Sequence, residues 1–345
     1  MNARVAAILV LLLAVLGGGA LVYQYQERAR RPENVGTLGR ALFKDLQAAD
    51  IATIRIVEPK ATLTLQRKDE RWAIAERADF PADLSKVREF VLKVIGLKVG
   101  QSEPLGEKDR ARLNLDASGT QITFLSAEGT TLGAFLVGRK YFKREVENPE
   151  KAIADGRFIA LPAEAGTAYL VGDPLAQATV KSAEWIDRSA FQVEKVKTLQ
   201  VRYPRGEGWR IDRAGDNAEW KLAGAMPGEK LDVSRANAAS YSLQLLELAD
   251  VAPKDAADTG LEQPSLIDAT TMDGATYAIK VGKLAGDNYY VSFNASGLKP
   301  DAKDAERVKL LSQHVLLIPK SKLEDTLKKR AELLDKPPAK KNRPS

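Results

Sequence analysis

The stretch Gly133-Ala-Phe-Leu-Val-Gly138-Arg139-Lys140 comes close to the phosphate-binding loop G-x-x-x-x-G-K-[ST]. In that loop the glycines free the backbone to wrap phosphates, the lysine reaches them and the hydroxyl holds magnesium. Here Arg139 takes the lysine position and Lys140 the hydroxyl position. Phe135-Leu-Val137 reads as a strand interior, so the pattern predicts a strand ending at a turn glycine rather than a nucleotide site. The chain has one histidine, His314, and no cysteine. Multi-histidine and thiolate metal sites and cysteine nucleophiles are thereby excluded within one chain, and a Ser-His-Asp triad would have to use His314. His314 stands just before the apolar run 315–319, a place for a structural or surface histidine. The 46 Asp and Glu residues single out no pair for glycoside chemistry. No catalytic residue, metal ligand or cofactor is expected.

The elements around these residues repeat. Ile51–Ile56 resembles Val196–Val201, Trp72-Ala-Ile-Ala75 resembles Trp220-Lys-Leu-Ala223, and Asp83–Val87 resembles Asp232–Ala236. Asn114-Leu-Asp116 answers to Gly260-Leu-Glu262, Ala127-Glu-Gly129 to Met272-Asp-Gly274, and Val137-Gly138-Arg139 to Val281-Gly282-Lys283. The spacing stays between 144 and 149 residues. In the second copy of the opening motif, Tyr277-Ala-Ile-Lys-Val-Gly282-Lys283-Leu284, the first glycine is a tyrosine. What persists is what a strand-and-turn element needs.

Each copy opens with period-two alternation, as at Ile54/Ile56, Leu63/Leu65 and Trp72/Ile74, the pattern of an antiparallel meander. A helix is predicted next, capped by Asp83 with Leu84, Val87, Val91 and Val94 on one face, or by Asp232 with Val233, Ala236 and Leu243. Residues 141–156 form an insertion in the first copy, against a shorter turn at 284–288 in the second. The expected class is α+β: two related units, 41–190 and 191–334, each an antiparallel sheet with a packed helix. Trp72 and Trp220 are expected as core anchors of their sheets, with Gly138, Gly282 and Trp185 as further structural positions. Residues 320–334 read as a helix.

Val5–Val22 is 18 residues without a charge, enough for a helix of about 27 Å, close to a bilayer's hydrocarbon core. Val5, Leu11, Leu16 and Val22 lie along this span, and Tyr23 and Tyr25 follow where an interfacial aromatic belt would sit. Residues 1–27 are expected as a transmembrane signal anchor and 28–40 as a linker; a cleaved signal peptide ending at Gly18-Gly-Ala20 is the alternative. Arg28, Arg30 and Arg31 outnumber Arg4, which by the positive-inside rule favours a cytoplasmic body. A short N-terminus running at once into an apolar segment favours export, and the expectation follows the second argument.

The net charge of +6 is unevenly placed: residues 1–40 carry +3 and residues 328–345 carry +5, which leaves −2 for the body. Nucleic-acid binders carry their positive charge as a patch on the folded domain, so that class is not expected. The end, 335–345, reads as a disordered basic tail suited to acidic lipid or an acidic protein partner.

The order of these features resembles a known family. An N-terminal anchor precedes Asp50–Ile56, Trp72, the helix after Asp83, Leu115-Asp116 and Val137-Gly138. Leu161-Pro162, Asp173-Pro174-Leu175 and Trp185-Ile-Asp-Arg188 follow. The chain is similar over residues 40–330 to the bacterial domain-of-unknown-function family 4340, in two copies. The second copy shows no evident Trp-Ile-Asp-Arg ending, a departure from the pattern. The resemblance implies an envelope protein without established activity, associated with ABC transporters of the gliding-motility type, and it carries over no catalytic residue. The expected function is a non-enzymatic, single-pass inner-membrane protein with a periplasmic body, a scaffold or accessory subunit meeting transporter subunits in the membrane. The alternative is an envelope module binding a glycan or lipid between the two units.

Overall fold

The computed structural model describes residues 37–69, 71–299 and 305–335. The anchor positions Val5, Leu11, Leu16, Val22, Tyr23 and Tyr25 lie outside the described residues, as does the tail beyond Asp335. Among the described residues, no helix is long and apolar enough to cross a membrane.

The fold is α+β with two antiparallel sheets. The first is built from β1 (Thr53–Glu58), β2 (Ala61–Lys68), β3 (Arg71–Ile74), β4 (Phe80–Pro81), β5 (Val99–Pro104), β6 (Thr120–Leu125), β7 (Thr131–Tyr141), β8 (Gly156–Ala160) and β9 (Thr167–Val171). Helix α1 (Leu84–Ile95) lies between β4 and β5 in sequence, and α2 (Glu107–Leu113) between β5 and β6. The strand order is β4-β3-β2-β1-β6-β7-β8-β9-β5.

The second sheet holds β10 (Val196–Arg202), β11 (Trp209–Asp212), β12 (Lys221–Leu222), β13 (Asp250–Val251), β14 (Ser265–Thr271), β15 (Thr276–Ala285), β16 (Asn288–Ser296) and β17 (Leu316–Pro319). Helix α3 (Val233–Tyr241) precedes β13, α4 (Ala305–Ser312) precedes β17, and α5 (Lys320–Leu323) follows it. Its order is β12-β11-β10-β14-β15-β16-β17-β13. Read from β3 and from β12, the two orders are the same: a three-strand meander, a jump to the next hairpin, and the strand after the helix on the far edge.

By packing, the chain groups into two compact units that do not follow sequence halves. One runs to Ala48 and adds Leu92–Gln121 and Gly133–Ala176; the other takes Ala49–Val91, Ile122–Leu132 and Gln177 onward.

The strands follow from alternation. Ile54 and Ile56 are buried with Arg55 exposed between them, and Leu63 and Leu65 lie on the same buried face of β2. In the second sheet Leu199 and Val201 do the same, paired to Ile211 and Trp209. Asp83 Oδ1 accepts from the backbone N–H of Ser85 at 2.8 Å, and Asp232 Oδ1 accepts from those of Ser234 and Arg235, so both helices start on an aspartate cap.

Three expectations are corrected. Leu84 and Val233, placed on the helix faces, are exposed in the first helical turn; on α1 the buried surface comes from Val87, Phe90, Val91 and Val94. Residues 320–334 are not one helix. The α-helix covers only Lys320–Leu323, and a second short 3-10 helix, Arg330–Leu333, is separated from it by a turn. The break has a physical reason: the Leu333 carbonyl accepts from Asp232 N at 2.9 Å, and Thr326 is buried with its hydroxyl on Ala239 O. The carbonyls of Leu327 and Lys328, which a continuous helix would turn onto residues 331 and 332, accept instead from Tyr203 Oη and Trp209 Nε1. The third is at Gly138 and Gly282, which lie inside strands β7 and β15 and not at turns.

The Trp-Ile-Asp-Arg segment has a counterpart in hydrogen bonding elsewhere in the chain. The carbonyl of Trp185 accepts from Asp83 N, before α1, at 2.7 Å. Leu333 does the same for Asp232, so Ala183-Glu-Trp-Ile-Asp187 and Ala331-Glu-Leu-Leu-Asp335 occupy matching places.

Candidate functional site

The opening motif lies wholly inside β7, and its counterpart inside β15. Neither Gly138 nor Gly282 has a positive φ, and neither ends a strand. The turn reading is therefore corrected: these glycines serve close approach. A Cβ at Gly138 would stand 2.3 Å from the carbonyl oxygen of Leu113 and 2.8 Å from the Leu115 side chain. At Gly282 it would stand 2.2 Å from the carbonyl oxygen of Thr259. Real side chains do not tolerate such distances to backbone, so only glycine fits. The segment that crosses each glycine is itself bent by a left-handed residue, Asn114 at φ 53° and Gly260 at φ 72°.

Both strands are bulged there. In β7 the register with β8 shifts between Val137↔Ile159 and Lys140↔Arg157, so Gly138 and Arg139 stand opposite the single residue Phe158. In β15 the shift falls between Val281↔Val291 and Leu284↔Tyr289, setting Gly282 and Lys283 opposite Tyr290. A bulge adds one residue to one strand and re-aims the side chains around it.

Beside the first bulge the surface opens into a cleft of two overlapping lobes, about 460 and 440 Å³. Arg112, Arg139, Lys140 and Phe142 line both; Lys143, Arg144 and Tyr141 line one, and Arg157 the other. Its carboxylates are Glu145 and Glu150, so six basic side chains face two acidic ones. The insertion supplies much of this lining although residues 141–156 carry four acidic and three basic side chains. Its other acids, Glu147 and Asp155, are not part of the wall. The loop is tied down at both ends. Lys140 Nζ donates to the carbonyls of Pro149 and Glu150 at 3.0 Å, Asp155 N donates to Tyr141 O at 2.9 Å, and Lys143 N donates to Asp155 Oδ2 at 2.9 Å.

The cations differ in what they already hold. Arg112, at the end of α2, donates to Asp109 at 3.0 Å and to Glu103 at 3.4 Å; the Asp109 bond pushes its already high pKa further up. Arg139, Lys143 and Arg144 are exposed and make no ion pair among the described residues. Tyr141 and Phe158 meet edge to face with centroids 6.1 Å apart, giving the cleft an apolar wall.

The second bulge also borders a cavity, about 470 Å³, lined by Gly260, Glu262, Gln263, Gly282 and Lys283 among others. There Lys283 Nζ is paired with Asp258, and Glu262 adds a second carboxylate. The same backbone device carries a cationic wall in one case and a neutralised one in the other.

The remaining sequence-selected residues lie elsewhere. Trp72 is buried in β3. Trp220 is buried just before β12, its indole N–H donating to Asn237 Oδ1 at 3.0 Å under the guanidinium of Arg213. Trp185 is fully buried, edge-on to Phe90 at 5.2 Å, and donates to Thr179 O at 3.1 Å. His314 has Nδ1 3.0 Å from Leu310 O and its ring edge-on to Phe80 at 5.1 Å.

Sequence reasoning missed two polar clusters. Arg77 Nη2 lies 3.0 Å from Asp250 Oδ2, and Ser182 Oγ donates to the same carboxylate at 2.6 Å. Arg40 donates through two nitrogens to Glu164, and Tyr169 donates to Glu164 as well. The Arg40 hydrogen bond, then that of Tyr169, holds the Glu164 carboxyl below its ordinary range; burial, then Glu164, pushes the Tyr169 phenol up. No motif links such residues; they meet only through strand order.

The family model described as "Domain of unknown function (DUF4340)" matches residues 72–264, more than half of the chain. The chain belongs to this family. The match begins at Trp72 in β3 and ends immediately before β14, so it takes in the cationic cleft and the first part of the second sheet. Comparison with curated proteins and with solved structures finds no match.

Proposed function

We propose that this family member is a single-pass membrane-anchored protein of the bacterial envelope with a periplasmic body. In this reading it acts without catalysis, as a scaffold or accessory subunit of an ABC-type transport complex. The observation that supports it most is how the chemically capable side chains are spent. The one histidine packs on Phe80 and holds its own helix end, and Asp250 is committed to Arg77 and Ser182. Arg307 is tied to the carbonyls of Asp187 and Ser189 and lies over the Phe80 ring. Such groups knit the fold together. The apolar run Val5–Val22 supplies the anchor and the basic tail a contact for acidic lipid or protein.

The same proposal takes the body as a tandem duplication with units 41–190 and 191–334. Shared strand order, paired aspartate caps and bulges 144 residues apart support it. Mild crosslinking in membranes followed by purification of the full chain tests the assignment. Integral transporter subunits are expected to come with it, and recovery of the chain alone contradicts it. A reporter fused to the C-terminus is expected to be active in the periplasm; cytoplasmic activity contradicts the topology.

A second reading, an envelope ligand-binding module, is favoured by one specific observation, the cationic cleft at the β7 bulge. It moves the ligand away from the junction expected from sequence. The cavity near residue 190, about 430 Å³, is lined by Asp187, Arg188, Gln192, Glu247 and Lys322 with no aromatic side chain.

A further inference from the structure

We infer that the cleft beside the β7 bulge binds a phosphoryl group carried on an apolar or aromatic body. The inference deepens the ligand-binding reading, on which it rests, and is independent of the transporter reading.

Charge selects the class. Even with Arg112, held by Asp109 and Glu103, and Arg157 set aside, Arg139, Lys140, Lys143 and Arg144 outnumber Glu145 and Glu150 by two, more than one ligand carboxylate would balance. A phosphate ester brings up to two charges and three strong acceptor oxygens. Arg139 and Arg144 present planar guanidinium forks that match phosphate oxygens two at a time, and Lys143 adds a mobile point charge. These three make no ion pair among the described residues, so binding need not first break one.

Shape selects the rest of the ligand. The lobes fall within the size range of small-molecule sites, and Leu113, Tyr141, Phe142, Val146 and Phe158 supply the apolar wall. The loop beside the cleft is pinned by Lys140 and Asp155, so the backbone that carries Lys143 and Arg144 is held in place before binding.

The second bulge is the internal control. It repeats the glycine, the crossing carbonyl and the register shift, yet Lys283 is held by Asp258. The cationic wall is therefore not a by-product of the bulge. Nor does the site work as a phosphate-wrapping loop: the motif lies in strand β7, interrupted only by the bulge, and recognition comes from side chains.

Calorimetric titration of the full chain in a neutral detergent tests this with three probes: phenyl phosphate, glycerophosphoglycerol and phenyl β-glucoside. Phenyl phosphate is expected to bind, more weakly as salt is raised. Arg139→Gln is expected to lower affinity about tenfold, and the combined Arg139→Gln, Lys143→Gln, Arg144→Gln variant about a hundredfold, the scale for losing charge-assisted hydrogen bonds. Lys283→Gln is expected to leave binding unchanged. If the combined variant melts early, the single exposed-site variants carry the test. Tighter binding of phenyl phosphate assigns a soluble phosphoester and supports the site; tighter binding of glycerophosphoglycerol, a phosphodiester without an apolar group, assigns a lipid headgroup and overturns the role of the apolar wall. Binding of the glucoside alone overturns the phosphoryl assignment and leaves a ligand-binding protein. Binding of none overturns both, and phosphate binding indifferent to the variants overturns the location.

Discussion

At Gly138 the carbonyl of Leu113 presses against β7, and at Gly282 the carbonyl of Thr259 presses against β15 in the same way. Around the first contact stand Arg139, Lys143 and Arg144 in an open cleft; around the second, Lys283 is matched by Asp258 and Glu262. The backbone device is therefore the constant and the charge is the variable. A glycine that makes a motif look functional can be there because a neighbouring chain passes too close for a Cβ. The side chains beside it, which packing does not constrain, are where the two regions differ.

The largest expected effect tests whether Trp185 and Leu333 hold equivalent places, each bonding an aspartate that caps a helix. Trp185→Ala should cost about 3–5 kcal/mol in urea unfolding, because it empties a fully enclosed site and takes the indole donor from the half-buried Thr179 carbonyl. Leu333→Ala, at the matching place, should cost about 2–4 kcal/mol. A near-neutral Leu333→Ala would break the equivalence. Next, Gly138→Ala and Gly282→Ala should each cost about 1–3 kcal/mol and by similar amounts, since the obstacle in both is backbone. Unequal costs would mean that the bulges differ in more than charge.

Smaller effects sharpen the contrast. Asp258→Asn with Glu262→Gln should release Lys283 and give the second cavity a weak affinity for phenyl phosphate. The pairing lost is exposed and worth about 1 kcal/mol or less, so the gain should be under about tenfold. The smallest concerns Glu164, whose carboxyl is held down by Arg40. A depressed carboxyl pKa gives stability that is present above the unfolded value and is lost as pH falls through the folded one. Melting temperature measured down an acid series should therefore fall less steeply in Glu164→Gln than in the parent, and parallel curves would remove the Arg40–Glu164 pair from the account.

Much of the fold was legible because alternation and caps are local. Ile54/Ile56, Leu63/Leu65, Asp83 and Asp232 each declare their element within a few residues. Leu84 and Val233 misled because the first helical turn faces solvent whatever its hydrophobicity. The 320–334 segment misled because its helix-forming residues are needed elsewhere, Leu333 bonding Asp232 across about a hundred residues of sequence. The A-E-x-x-D pattern shared by 183–187 and 331–335 could have revealed that place. Of the cleft, the sequence displayed Gly138, Arg139, Lys140 and a charged insertion, but not their sum. The insertion is slightly acidic as a whole, and only the fold decides which of its charges line the wall. Arg112 and Arg157 come from α2 and β8, and nothing local to β7 announces them.

The most direct measurement is to locate an anion on the protein. Crystals of the full chain soaked with tungstate, a heavy-atom stand-in for phosphate, can be read by anomalous diffraction. A peak is expected within hydrogen-bond reach of Arg139 and Arg144, and none at Lys283. A peak at Lys283, or none at Arg139, would contradict this assignment.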